Sequence, residues 1–214
     1  MSEIIITIME IIGTVAFAIS GALISISCGL DIFGVVFIGV ITATGGGVLR
    51  DVLTGKTPPS IFSNTHIFAI AAITALSVFI IAIIHKNHFD TMRDKIERIN
   101  NIFDAIGLAA FSVTGTEIVM ASGYSDKMLL CVIMGMLTGC GGGMLRDVLV
   151  DKTPYVLLKH VYAIASVAGS VIYYLVSICA DEKIMGTAIA MAFIFIVRML
   201  ATRYHWKLPK IKGM

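Results

Sequence analysis

Gly45-Gly46-Gly47-Val48-Leu49-Arg50-Asp51-Val52-Leu53 returns, with one change, as Gly141-Gly142-Gly143-Met144-Leu145-Arg146-Asp147-Val148-Leu149. Lys56-Thr57-Pro58 likewise returns as Lys152-Thr153-Pro154. Upstream the match is weaker, with Phe17, Ser20, Gly21 and Gly29 opposite Phe111, Thr114, Gly115 and Gly123 after a two-residue change in spacing. The chain is therefore an internal duplication, and the strongest identity falls on residues poorly suited to a passive helix.

The duplicated units are built for lipid. Apolar residues make up 57% of the 214 positions and charged ones 14%, with a mean hydropathy of +0.94, which excludes water as the main solvent. A bilayer core needs about 20 apolar residues per helix. Three such runs lie in the first half: Ile11 to Leu30, Ile32 to Leu49 and Ile61 to Ile84. Four lie in the second: Ala105 to Ser125, Met128 to Leu145, Val161 to Ala180 and Ile184 to Thr202. The expected fold is an all-α membrane protein of seven helices. Each repeat holds three spans, and an odd number inserts the second copy upside down relative to the first. The division is residues 1–86 for the first repeat, 87–101 for a polar cytoplasmic linker, 102–180 for the inverted repeat and 181–214 for a seventh helix with a basic tail.

The start Met1-Ser2-Glu3 is acidic and the first apolar run has spanning length, so it reads as a helix rather than a secretory leader. Lys86, Arg93, Lys95, Arg98, Lys152, Lys159, Arg203, Lys207, Lys210 and Lys212 fall on one side of a seven-span layout, and Lys56, Lys127 and Lys183 on the other. The positive-inside rule places the first group and the C-terminus in the cytoplasm and the N-terminus outside. The basic tail reads as solvated inner-face charge, not as a nucleic-acid site. Cys28, Cys131, Cys140 and Cys179 match neither a zinc nor a redox spacing, and His85 and His88 lack a third ligand. Gly55-Lys56-Thr57 fails as a phosphate loop because Arg50 stands where glycine is required. No nucleophile and base pair up, so no enzyme is expected.

A glycine costs a helix interior roughly 1 kcal/mol against alanine, so three in succession are expected to kink the second and fifth helices. Backbone groups freed there are tolerated only inside protein or against a water-filled cavity, where their carbonyls can meet a cation. Close packing is the other reading, since Gly39, Ala43 and Gly47, mirrored by Gly135, Gly139 and Gly143, form small-residue ridges. Arg50 and Arg146 follow their triplets by about one turn, each beside an acid, Asp51 or Asp147. Charges this deep in a membrane point to function, with snorkelling at a helix end as the alternative. Inverted geometry puts Arg50 toward the outer face and Arg146 toward the inner face, on a shared polar path. Either arginine can pair with an acid or carbonyl other than its neighbour's. Thr42 and Thr138, one turn before the triplets, can extend the path or bond their own backbone. Glu117 and Arg198 interrupt apolar spans without repeat equivalents; Glu117 can face a cavity, or the two can pair with each other or with a neighbouring subunit.

Seven spans carrying the doubled Gly-Gly-Gly-x-Leu-Arg-Asp motif resemble the trimeric intracellular cation (TRIC) channel family, in its bacterial and archaeal branch. The resemblance covers nearly the whole chain. It implies a homotrimer in a prokaryotic inner membrane, each subunit with its own pore lined by the kinked second and fifth helices and passing potassium and sodium. Carried onto this chain, the pore positions are Gly45, Gly46, Gly47, Gly141, Gly142 and Gly143, with Arg50, Asp51, Arg146 and Asp147 near them. Permeating monovalent cations and membrane lipids are then the partners, with no resident metal or cofactor. The Lys-Glu-Val tripeptide associated with phosphoinositide lipid in the animal branch is absent. Bacterial relatives also carry a glycine-transporter label, so a secondary transporter of glycine or another small solute is the second hypothesis. A structural or lipid-organising membrane protein is the third.

Overall fold

The computed structural model describes residues 3–85, 93–158, 161–180, 182–204 and 206. Lys86, His88, Lys159, Lys207, Lys210 and Lys212 lie outside the described residues. Seven long helices follow in order: α1 (Glu3–Ser27), α2 (Ile32–Leu53), α3 (Thr65–Ile84), α4 (Arg93–Val119), α5 (Met128–Leu149), α6 (Val161–Cys179) and α7 (Lys183–Arg203). A π-helical stretch, Met120–Tyr124, extends α4, and single turns occupy Ser60–Phe62 and Tyr155–Leu158. All seven long helices contain stretches long and apolar enough to cross a membrane, and no strand occurs among the described residues. One boundary differs from expectation. Helix α4 begins at Arg93, inside the segment read as a linker, because a spanning helix can continue its hydrogen-bond ladder into water on polar residues such as Lys95, Glu97 and Arg98.

Local chemistry closes the helices at equivalent places in the two repeats. Gly29 (φ 75°) follows α1 and Gly123 (φ 92°) ends the extension of α4, both in the left-handed region that glycine enters without a Cβ penalty. After α2 the left-handed residue is Gly55 (φ 78°), and after α5 it is Asp151 (φ 55°), a residue type that tolerates this conformation. The next residue folds back each time: Lys56 N–H donates to the Asp51 carbonyl and Lys152 N–H to the Asp147 carbonyl, both at 2.8 Å. The Asp31 carboxylate caps α2 by accepting from Gly34 N–H at 2.8 Å.

The helices pack as a pseudo-symmetric pair of units. Helix α1 lies against α2, α3 and α4, α2 against α5, and α5 against α4 and α6. Between α1 and α4 the contact is reciprocal, since Gly107 sits under the Phe17 ring and Gly13 under the Phe111 ring, with ring centroids 5.4 Å apart. A Cβ on Gly107 would come within 2.2 Å of Phe17, and one on Gly13 within 2.9 Å of Phe111. Lipid tails are as apolar as leucine, so close approach over small residues, rather than hydrophobic exclusion, holds such helices together. Helix α7 has no counterpart in the first repeat and lies on α6 and α4. Helix α4 is consequently the most enclosed span and α3 the most exposed, with Phe68, Ile73, Ile81 and Ile84 facing outward.

Candidate ion pathway

Helices α2 and α5 cross at their glycine triplets. A Cβ on Gly46 would lie 2.0 Å from the Thr138 carbonyl oxygen, and a Cβ on Gly142 would lie 2.0 Å from the Thr42 carbonyl oxygen. Only glycine permits this approach. Gly45 and Gly141 meet Leu145 and Leu49 from the opposite helix, again reciprocally. The triplets therefore account for packing as well as for lost helix propensity. Both helices remain α-helical through their triplets, and none of the six glycines takes a positive φ. The Thr42 and Thr138 hydroxyls, both buried, donate to the Ile38 and Met134 carbonyls of their own helices at 2.6 Å.

Arg50 and Arg146 leave this crossing in opposite directions, because α2 and α5 run antiparallel through it. Arg50 Nε and Nη2 donate to Asp51 Oδ1 at 2.9 and 2.7 Å, and Arg146 Nε donates to Asp147 Oδ1 at 2.8 Å. The neighbouring acid is thus the principal partner of Arg50 and a principal one of Arg146. Sequence adjacency separates two side chains by about 100° around a helix, but the long guanidinium stem curls back across that angle. Each aspartate's other oxygen accepts a loop N–H, from Ser60 at 2.8 Å and from Tyr155 at 2.9 Å. An Asp therefore ties each arginine to the segment that follows its helix.

The two ends then diverge. Arg146 is fully enclosed and also donates to Asp104 Oδ1 at 3.1 Å and to the Ser20 hydroxyl at 2.7 Å, while Ser20 donates to Asn100 Oδ1 at 2.8 Å. Arg198 from α7 approaches the other Asp104 oxygen at 3.7 Å and stacks over the Tyr162 ring at 4.5 Å. At the Arg50 end a cavity of about 60 Å³ opens instead, lined by Glu10, Thr14, Gly47, Arg50, Asp51 and Thr138 among others. That volume has room for roughly two waters. Glu10 and Ser20 are ten residues apart on α1, so the two clusters stand about 15 Å apart along the helix axis.

Of the residues singled out from sequence, Gly47, Arg50, Asp51 and Thr138 line this cavity; Thr42, Gly45, Gly46 and the second triplet do not. Glu117 lies elsewhere. It accepts from the Tyr173 hydroxyl at 2.7 Å and Lys183 Nζ at 3.0 Å. Arg198 pairs with Asp104 instead, and Asp104 and Glu117 are about 20 Å apart along α4, which rules out the alternative in which Glu117 and Arg198 pair with each other.

An inverted duplication with an arginine at each end of a glycine crossing can be compared with known proteins. The chain is 33% identical, with a TM-score of 0.81, to a structure solved for conductance through TRIC cation channels, across 97% of this chain and 98% of the other. It belongs to the TRIC channel family. A TRIC orthologue from Rhodobacter sphaeroides matches with a TM-score of 0.84 at 25% identity, over 94% of this chain and 99% of that one. The UPF0126 inner membrane protein YadS of Escherichia coli (strain K12) is 32% identical over 94% of this chain and 93% of its own length. A family model described as glycine transporter matches twice, over residues 7–83 and 101–177.

Within this TRIC chain, Glu10 and Asp104 are site residues that the sequence reading did not single out. A signal existed. They stand opposite each other in the same register that aligns Phe17 with Phe111, so each repeat carries an acid on its first helix. Tyr162 and Ser20 as neighbours of the arginines had no such signal, because tertiary packing alone brings them there.

Proposed function

We propose that this chain forms a homotrimeric channel for monovalent cations, potassium and sodium, with a pore in each subunit between the two inverted repeats. The observation that carries the reading is the Arg50 cavity, a space with Glu10, Arg50 and Asp51 in its wall on one side of the α2–α5 glycine crossing, balanced by the buried Arg146 cluster on the other. In hydrocarbon, charges at such positions are expensive and mark ion paths. Each triplet arginine is paired with an adjacent aspartate, so neither presents an uncompensated positive charge to a cation. On this reading the glycine crossing is the constriction, and a bend of α2 and α5 at their triplets separates the helices to open it. Gly45, Gly46, Gly47, Gly141, Gly142 and Gly143 act at the crossing, with Arg50, Asp51, Arg146 and Asp147 at its two ends.

The residence we assign is a prokaryotic inner membrane, with the Arg50 end and N-terminus outside and the C-terminus in the cytoplasm. The test is purified protein in planar bilayers under a KCl gradient. Unitary steps with a cation-signed reversal potential are expected. Smooth, saturable glycine flux without steps would replace the channel with a secondary transporter, and silence in both assays would leave a structural or lipid-organising role.

A further inference from the structure

Inverted symmetry makes Glu10 the counterpart of Asp104, yet the two acids live differently. Asp104 is fully buried and has an arginine at each carboxylate oxygen, Arg146 at 3.1 Å and Arg198 at 3.7 Å. Arg198 comes from α7, the helix without a counterpart, so nothing equivalent reaches Glu10. Arg50, the symmetry mate of Arg146, places Nε and Nη2 on Asp51. Among the described residues no cation lies within ion-pair distance of Glu10, which lines the cavity beside Arg50 and Asp51. Lys56 and His66 are the other ionisable side chains near it, and both are exposed to water.

Charge at the two ends is therefore unequal. Arg146, Arg198, Asp104 and Asp147 cancel; Arg50 and Asp51 cancel and leave the Glu10 carboxylate with no buried cation, only the water-exposed Lys56 and His66 nearby. A second observation points to a ligand at the same place. Thr14, one turn along α1 from Glu10, lines the cavity, and its hydroxyl is fully buried and has no hydrogen-bond partner. A buried hydroxyl without a partner costs about 1–3 kcal/mol, so a water or cation in the cavity would relieve it. A carboxylate and a hydroxyl are hard oxygen donors, and neither would favour an anion.

We propose that Glu10 and the Thr14 hydroxyl form a monovalent-cation subsite in the Arg50 cavity, and that Glu10 sets the preference for cations over anions. This rests on the channel reading above. The experiment compares wild-type protein, Glu10→Gln and Glu10→Asp in planar bilayers under a KCl gradient, after gel filtration has shown the same oligomer for all three. One unit charge acting over about 4 Å through water is worth about a fivefold change in ion occupancy, so its removal is expected to lower the potassium-to-chloride permeability ratio about fivefold or more. Glu10→Gln is expected to show that drop and Glu10→Asp to keep most of the wild-type ratio. A wild-type protein that passes no current overturns the channel reading itself. Cation-selective wild-type current with an unchanged ratio in Glu10→Gln overturns only the subsite. Loss of the oligomer or of all current in both variants would make Glu10 a packing residue and overturn it as well.

Discussion

Asp104 and Arg146 form an ion pair at 3.1 Å with both side chains fully enclosed, whereas their symmetry mates Glu10 and Arg50 do not meet within ion-pair distance among the described residues. A buried pair broken from one side leaves its partner charged and unsolvated, at a cost of about 3–5 kcal/mol.

Asp104→Asn should therefore destabilise the protein by about 3–5 kcal/mol, because it leaves Arg198 without its acid and Arg146 with Asp147 alone. Glu10→Gln should fall within about 0.5 kcal/mol of wild type, as expected of a group without a direct ionic partner. Denaturation of the detergent-solubilised protein measures both. Equal losses would show that Asp104 does not hold the inner cluster together.

The arginines should part company in the same way. Arg146→Ala leaves Asp147 buried without its arginine and Asp104 with Arg198 alone, and should yield little folded protein. Arg50→Ala empties a side chain from a cavity wall, and should give a folded oligomer with altered open probability or conductance in single-channel recordings. Unchanged recordings from Arg50→Ala would reduce that residue to a snorkelling side chain.

Within the first triplet the glycines are not equivalent. Gly46→Ala drives a methyl to 2.0 Å from the Thr138 carbonyl, a backbone atom that cannot rotate away, and should cost about 3 kcal/mol or more. Gly47→Ala meets nothing nearer than Arg50 Nη2 at 3.8 Å and should fold normally. Gel filtration and thermal melting compare the two. Comparable damage from both would mean that helix flexibility, rather than contact at the crossing, is what the triplet supplies.

Orientation is tested from outside the cell. In a background with Cys28, Cys131, Cys140 and Cys179 replaced, Lys127→Cys should react with an impermeant maleimide in intact cells, and Lys152→Cys only after lysis. Both positions are exposed, so reactivity reports the side of the membrane. The opposite pattern would reverse the assigned topology.

The seven spans and the inverted duplication were legible in the sequence, because hydropathy over some 20 residues and a repeated motif are local patterns that need no knowledge of neighbours. The same patterns drew attention to Arg50 and Arg146 but could not say what each would touch. That was decided by which helices cross. The target of Gly46 is a carbonyl 92 positions away, and the second partner of Asp104 comes from α7, which the repeat does not contain. Helix α7 breaks the symmetry that the sequence set up, closing one end of the crossing with Arg198 and leaving Glu10 facing a cavity at the other. Ion pairing depends on angstrom distances between helices, and only their tertiary packing determines those distances.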